Sequence, residues 1–276
     1  SSAIAFSLMT VCVKHLKGRI PVAEIVFTRA IISLIITRFI LFRNQINPWG
    51  NDKKLLLIRG LLGTGALFCI FKALAILPLA SATIIQYSYP IFTSLAASIF
   101  LKEKINAQIL LAILLGFIGI TLVVQPGWLG ATEVSLEFYP VLIAICGAVL
   151  TALAYISVRK LSQTEHPLVI VHYFPLLSVP ITFPFVLSKG VIPINIEWIW
   201  LIGIGMFTQI GQVAITKGLM LLPAARASSI NYTQVLLACF FGIVIFKEPI
   251  NNYLLVGSLF ILASTLISIS AKPKIP

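Results

Sequence analysis

Apolar residues run through this chain in blocks of about twenty, separated by short clusters of Pro, Gly, Asn and basic residues. Within a block, apolar and polar positions do not alternate, so the pattern predicts helices rather than barrel strands. Ten spans are expected, at 1–17, 21–42, 55–77, 79–101, 106–125, 138–160, 167–188, 197–221, 224–246 and 250–270. Lipid offers no partner to backbone N–H and C=O groups, so each span must satisfy its own. Pro78 and Pro223 mark tight turns between spans, and Lys102-Glu103-Lys104 and Lys247-Glu248-Pro249 mark the turns that follow. The longest links lie near 43–54 and 126–137. The second joins two halves and carries Trp128, suited to a membrane interface. The first block is short and has no initiator Met, so the natural start is expected to lie upstream.

One stretch occurs twice. Lys72 to Asn106 reads KALAILPLASATIIQYSYPIFTSLAASIFLKEKIN, and 145 residues later Lys217 to Asn251 reads KGLMLLPAARASSINYTQVLLACFFGIVIFKEPIN. No gap is needed and 12 of 35 positions are identical, among them Lys72, Leu77, Pro78, Tyr87, Lys102, Glu103 and Asn106. A fixed offset marks duplication. The expected units are 1–130 and 131–276, five spans each. An odd number of spans turns the second copy upside down, which is a transporter plan with its ligand site near the midplane. Two such copies supply two nearly equal packings, the basis of alternating access.

Composition sharpens the class. The chain is 59% hydrophobic and only 10% charged, with mean hydropathy +1.05. Soluble domains carry about 25% charged residues, so this is an integral membrane protein. The net charge of +12 does not indicate nucleic acid, because the basic residues sit at span ends as topology anchors. Arg43, Lys53, Lys54, Lys102, Lys104, Arg159, Lys160, Lys272 and Lys274 fall in loops of one side, with Arg38, Arg59 and Arg226 near them, against Lys14, Lys17, Arg19, Lys189 and Lys247 on the other. This bias predicts both termini in the cytoplasm. Cys12, Cys69, Cys146 and Cys239 each sit in a separate apolar block without metal-ligand spacing, and read as small buried hydrophobes. Gly60, Gly63 and Gly65 in the third span, and Gly203, Gly205 and Gly211 in the eighth, predict close helix packing rather than phosphate loops.

Charges inside spans are costly and mark candidate functional residues. Arg29 lies roughly 12 Å into the second span, close to the bilayer middle. Glu24 lies nearer the outer surface, where it can pair with Arg29 or with Arg19 and Lys17, or carry a proton. Lys72 and Lys217 are repeat mates close enough to span ends to snorkel. Gln86, Tyr89 or Pro90, and Thr93 share a face of the fourth span, Asn231 and Gln234 a face of the ninth, and Gln209, Gln212 and Thr216 a face of the eighth. Such polar faces line a wet cavity or join helices by hydrogen bonds. Pro90 removes a backbone hydrogen bond and can kink the fourth span. Tyr155, His172 and Tyr173 are further candidates. The substrate-binding set is therefore Arg29, Lys72, Gln86, Tyr89, Tyr155, Gln209, Gln212, Asn231 and Gln234, with Glu24, His172 and Pro90 as gating or proton-coupling residues. No HExxH, no metal cluster, no nucleophile–base pair and no ATP-binding loop is present in the sequence. The reading is a chain without enzyme activity, cofactor, metal or nucleic-acid partner.

The pattern AL-x-x-LPLA-x-A (Ala73, Leu74, Leu77 to Ala80, Ala82), then Pro90, Phe92 and Thr93, then Leu101 to Lys104, resembles the EamA type of the drug/metabolite transporter superfamily. Pro21 followed by Arg29 also resembles that family, and the likeness runs over essentially the whole chain. The resemblance implies a basket of ten helices with a central cavity lined by spans 1, 3, 4, 6, 8 and 9. It also implies secondary transport of small organic metabolites, among them amino acids, nucleotide-derived cofactors and drug-like amines. Val235 stands where the first copy has Pro90, which puts equal roles for the fourth and ninth spans in doubt. The expected function is alternating-access transport of a small polar metabolite by a monomer in a prokaryotic inner membrane, driven by a proton or a counter-substrate. The excess of Arg29, Lys72 and Lys217 over Glu24 favours a carboxylate- or phosphate-bearing cargo, an amino acid or derivative. The alternatives are a carrier for a nucleotide-like metabolite such as S-adenosylmethionine, and a non-transporting membrane scaffold.

Overall fold

The computed structural model describes residues 2–16, 19–76, 85–103, 106–124, 138–247 and 252–270. All regular elements among them are helices: α1 Ser2–His15, α2 Val22–Arg43, α3 Lys53–Ile76, α4 Tyr89–Phe100, α5 Ala107–Val124, α6 Phe138–Leu161, α7 Pro167–Lys189, α8 Glu197–Leu221, α9 Ala224–Ile230, α10 Thr233–Phe246 and α11 Asn252–Ser270. They occupy the ten expected spans, with the ninth divided between α9 and α10. Among the described residues, five segments are long and apolar enough to cross a bilayer unaided: α2, α6, α7, α8 and α9–α10 together. The protein is an all-α integral membrane protein with ten spans in two inverted five-helix repeats. Large apolar side chains such as Phe39, Leu61, Ile99 and Leu266 are exposed along the helices, a surface suited to lipid rather than water. The Pro78 turn, Lys17, Lys104, Glu248-Pro249, and the link with Trp128 lie outside the described residues.

The helices gather into two compact units, residues 1–64 with 157–221, and residues 65–156 with 222–276. Each unit takes corresponding spans from both copies. The unit boundary passes within α3, between Thr64 and Gly65, and within α6, between Ile156 and Ser157.

In the first unit α1 packs on α8, and α2 packs on α7 and α8. Its apolar core joins Cys12, Leu16, Ile20, Ile25, Leu201 and Ile204. Glycines let these helices touch: a Cβ on Gly205 would lie 2.6 Å from Ile32 Cδ1, and one on Gly60 would lie 2.8 Å from the Tyr173 carbonyl oxygen. In the second unit α11 packs on α5, and α9 packs on α4. A core forms there from Ile120, Tyr232, Val235 and Ile261.

Two helix ends keep the memory of duplication. Lys102 follows α4 with φ 54°, and its repeat mate Lys247 follows α10 with φ 53°. A left-handed residue just past a helix is a common stop signal. One expectation is corrected: Cys146 is exposed rather than buried. It lies on α6 beside Leu142 and Ile145, both also exposed, and its thiol is within hydrogen-bonding reach of Cys69 on α3. Cys12 is buried, and Cys69 and Cys239 are half-buried.

Candidate functional site

In the second unit, the fourth and ninth spans are each interrupted by one tight turn, whose residues Ser88, Asn231 and Tyr232 keep right-handed helical dihedrals. Helical backbone at 85–86 ends in a turn at 87–88 before α4, and α9 ends in a turn at 231–232 before α10. Shifted by 145 residues, the first turn falls on 232–233, one residue along from the second and overlapping it at Tyr232, so the two lie at matching places in the two copies. Short-range hydrogen bonds replace the α-helical ladder there. Ser88 N donates to Ile85 O at 3.2 Å and Ile91 N to Ser88 O at 2.9 Å. Asn231 N donates to Ser228 O, and Tyr232 N to Ser229 O, both at 3.2 Å. Such i→i+3 bonds tighten the chain and interrupt the ladder. Pro90 sits in the first turn of α4, where its missing N–H costs nothing. The interruption does not depend on proline, because Val235 follows the second one.

Tyrosines fill the space around the breaks. Tyr89 stands edge-on to Tyr155 with ring centroids 5.5 Å apart, Tyr87 lies 6.3 Å from Tyr89, and Tyr87 lies 6.5 Å from Tyr232. Asn231, buried at 5% exposure, has its side chain within hydrogen-bonding reach of Tyr89. The hydroxyl of Tyr232 is buried without a hydrogen-bond partner. Gln86 and Gln234 are half-buried beside the same breaks. Broken helices at matching places in two copies, lined with aromatic and amide side chains, are the arrangement by which transporters bind a solute. The sequence marks Tyr87 and Tyr232 as repeat mates, and only the fold reveals them as neighbours in one cluster.

In the first unit a polar face of α2 is buried: Arg29, Ser33 and Thr37 follow at one-turn intervals. Ser33 donates its hydroxyl to Gln209 Oε1. Thr37 Oγ1 lies 3.4 Å from His172 Nδ1 and donates to Ser33 O at 2.5 Å. The Arg29 guanidinium stands over the Phe174 ring, 5.5 Å from its centre. Arg59, which the sequence offered only as an anchor near an inner loop, stands over the same ring at 5.7 Å. Arg29 is 8% exposed and Arg59 4%. The Nε of Arg29 and the Nε2 of Gln209 are buried without hydrogen-bond partners. A cation over an aromatic face gains about 0.5–2 kcal/mol, whereas burying a charge costs several kcal/mol per ion. The ring offsets only part of that cost.

The remaining candidates are spread out. Glu24, 6% exposed, accepts from Val191 N at 2.8 Å; it ties α2 to the segment after α7, while Arg29 packs on Phe174. Arg19 Nε donates to Glu197 Oε1 at 2.6 Å at the same end of the unit. Lys72 is exposed, and its Nζ donates to Tyr139 Oη at 3.3 Å. Gln212 is half-buried on α8. Tyr173 donates its hydroxyl to Trp49 O at 2.8 Å, holding the 43–54 link.

Comparison with known proteins agrees with this architecture. A solved crystal structure superposes with a TM-score of 0.85 over 97% of this chain and 93% of that one, at 16% identity; it shows the fold alone. The chain is 28% identical over 264 residues to the pseudopaline exporter CntI of Pseudomonas aeruginosa, covering 95% of this chain and 91% of that protein. It is 29% identical to mouse solute carrier family 35 member G1, covering 96% of this chain and 75% of that one. The model of the EamA-like transporter family matches twice, at residues 1–125 and 138–270. Both copies carry the match, so the chain belongs to the EamA-like transporter family, within the drug/metabolite transporters.

Proposed function

We propose that this chain is a secondary carrier that moves a small polar organic metabolite, an amino acid or a derivative of one, by alternating access and without a chemical step. The observation that carries this reading is the pair of helix breaks at repeat-equivalent positions in the fourth and ninth spans. Tyr89, Tyr155, Asn231, Gln86 and Gln234 surround them and offer a solute aromatic and amide groups. Arg29, Lys72, Gln209 and Gln212 complete the proposed binding set. Glu24 and His172 are the proposed proton-coupling residues, and Pro90 is the proposed gating residue. The repeats are taken as 1–130 and 131–276, a division that the two family matches support. The excess of Lys and Arg in alternate loops supports cytoplasmic termini in a prokaryotic inner membrane, with a monomer as the working unit. The exporter among its relatives supports outward movement.

A second reading is a nucleotide-like cargo such as S-adenosylmethionine. The cluster of Tyr87, Tyr89, Tyr155 and Tyr232 favours it, because aromatic faces stack on bases. The test is a thermal-unfolding screen of metabolites on the purified protein, since a ligand that binds only the folded state raises the midpoint. Hits are then followed across proteoliposomes under a pH gradient. Stabilisation and transport by amino-acid derivatives support the first reading. Hits confined to nucleosides and their derivatives support the second, and a protein that moves none of its ligands is a scaffold.

A further inference from the structure

We infer that Arg29 and Arg59, converging on Phe174, form the recognition site for a carboxylate or phosphate group of the cargo. This rests on the carrier reading and names the charge of what is carried. Arg29 follows the start of α2 by seven residues, and Arg59 the start of α3 by six. Consecutive spans run in opposite directions, so the two guanidiniums reach one ring from opposite faces of the membrane.

Four observations favour an anion. The first is charge. Two cations, Arg29 and Arg59, share the Phe174 ring, while Glu24, the acid on α2, takes Val191 N. The second is that Arg29 Nε, nine-tenths buried, has no hydrogen-bond acceptor. The third is Gln209. Its Oε1 is taken by Ser33, one turn along α2 from Arg29, which leaves its buried NH2 as an unpaired donor. The open positions are thus donors, and the complementary group is one that only accepts. Carboxylate and phosphate do so, and guanidinium forks match both in geometry. The fourth is Gly63: a Cβ there would lie 2.5 Å from Arg59 Nη1 and 2.9 Å from Phe174 Cδ2. The glycine leaves the lane in which the Arg59 head group lies.

The test uses the whole protein in phosphatidylcholine nanodiscs, titrated with succinate, inorganic phosphate or methylammonium at constant ionic strength, with the unfolding midpoint as readout. Succinate or phosphate raises the midpoint saturably, and methylammonium does not. Arg29→Lys and Arg59→Lys keep the charge and lose the fork, so each weakens the apparent affinity roughly tenfold or more. Gly63→Ala weakens it too, whereas Arg43→Gln, at the exposed end of α2, leaves it unchanged. The proposal is overturned if neither anion shifts the wild-type midpoint, or if both lysine variants bind as the wild type does. It is also overturned if only added phosphatidylglycerol stabilises the protein and the variants abolish that, which assigns the site to a lipid headgroup. Transport separates this inference from its foundation. Arginine-dependent anion binding without movement of any solute rejects the carrier and keeps the site. A solute carried equally well by Arg29→Lys keeps the carrier and rejects the site.

Discussion

Tyr232 is wholly buried, and its hydroxyl has no partner. An unsatisfied buried polar group costs about 1–3 kcal/mol. Tyr232→Phe removes the cost while keeping the ring, so the unliganded protein gains about 1 kcal/mol of stability. Transport falls in the same variant if that hydroxyl waits for cargo. Thermal unfolding in detergent beside a proteoliposome flux assay measures both, and a stabilised variant with unchanged flux removes Tyr232 from the solute site. The ring itself is held tightly, since a Cβ on Gly116 would lie 2.2 Å from Tyr232 Cδ2. Gly116→Ala therefore overpacks this core and lowers stability by about 1–3 kcal/mol, read as a lower unfolding midpoint.

Helix ends carry their own chemistry. Arg159 Nη1 donates to Leu219 O at 3.2 Å and Met220 O at 2.7 Å, closing the carbonyl end of α8. Cations are favoured there by the helix dipole. Arg159→Met keeps much of the stem and loses the charge, so the folded state weakens by about 1–2 kcal/mol. Hydrogen exchange should rise first in the last turn of α8. At the other end of the same connection, Glu103 Oε2 accepts from Ala224 N at 3.1 Å, capping the start of α9. The broken spans make a different prediction. The second break forms without proline, so Pro90→Val should leave the first in place and cost no more than about 1 kcal/mol. A larger fall in the unfolding midpoint would mean that proline itself makes the break.

Duplication with an odd number of spans sets the handedness of the whole chain across the membrane. Lys102 and Lys247 are repeat mates with the same left-handed backbone, and inversion puts them on opposite sides. Single cysteines at these two positions, on a background lacking the four natural cysteines, should react with an impermeant maleimide from opposite faces of sealed vesicles. Labelling from one face would end the inverted-repeat description. Packing does not follow the copies, however. Each compact unit is assembled from corresponding spans of both, and α3 and α6 pass through both units.

The ten spans, the duplication and the family resemblance were legible in the residues because each rests on local or periodic information. Lipid demands apolar blocks of about twenty, and a fixed offset of 145 residues needs no geometry to be seen. The polar candidates were also visible, since Arg29, Asn231 and Gln209 are rare groups in apolar blocks. Their partners were not. Arg59 looked like an anchor by its nearness to a span end, and only packing brought it onto the ring that Arg29 also covers. Glu24 could have met several cations, yet the fold gave it the N–H of Val191. The turn at Tyr87–Ser88 stood behind a proline that suggested a kink, and its twin at 231–232 has no proline to announce it. Periodicity follows from neighbours along the chain, so sequence carries it; a side chain's partner depends on residues more than a hundred positions away, so only the folded bundle decides it.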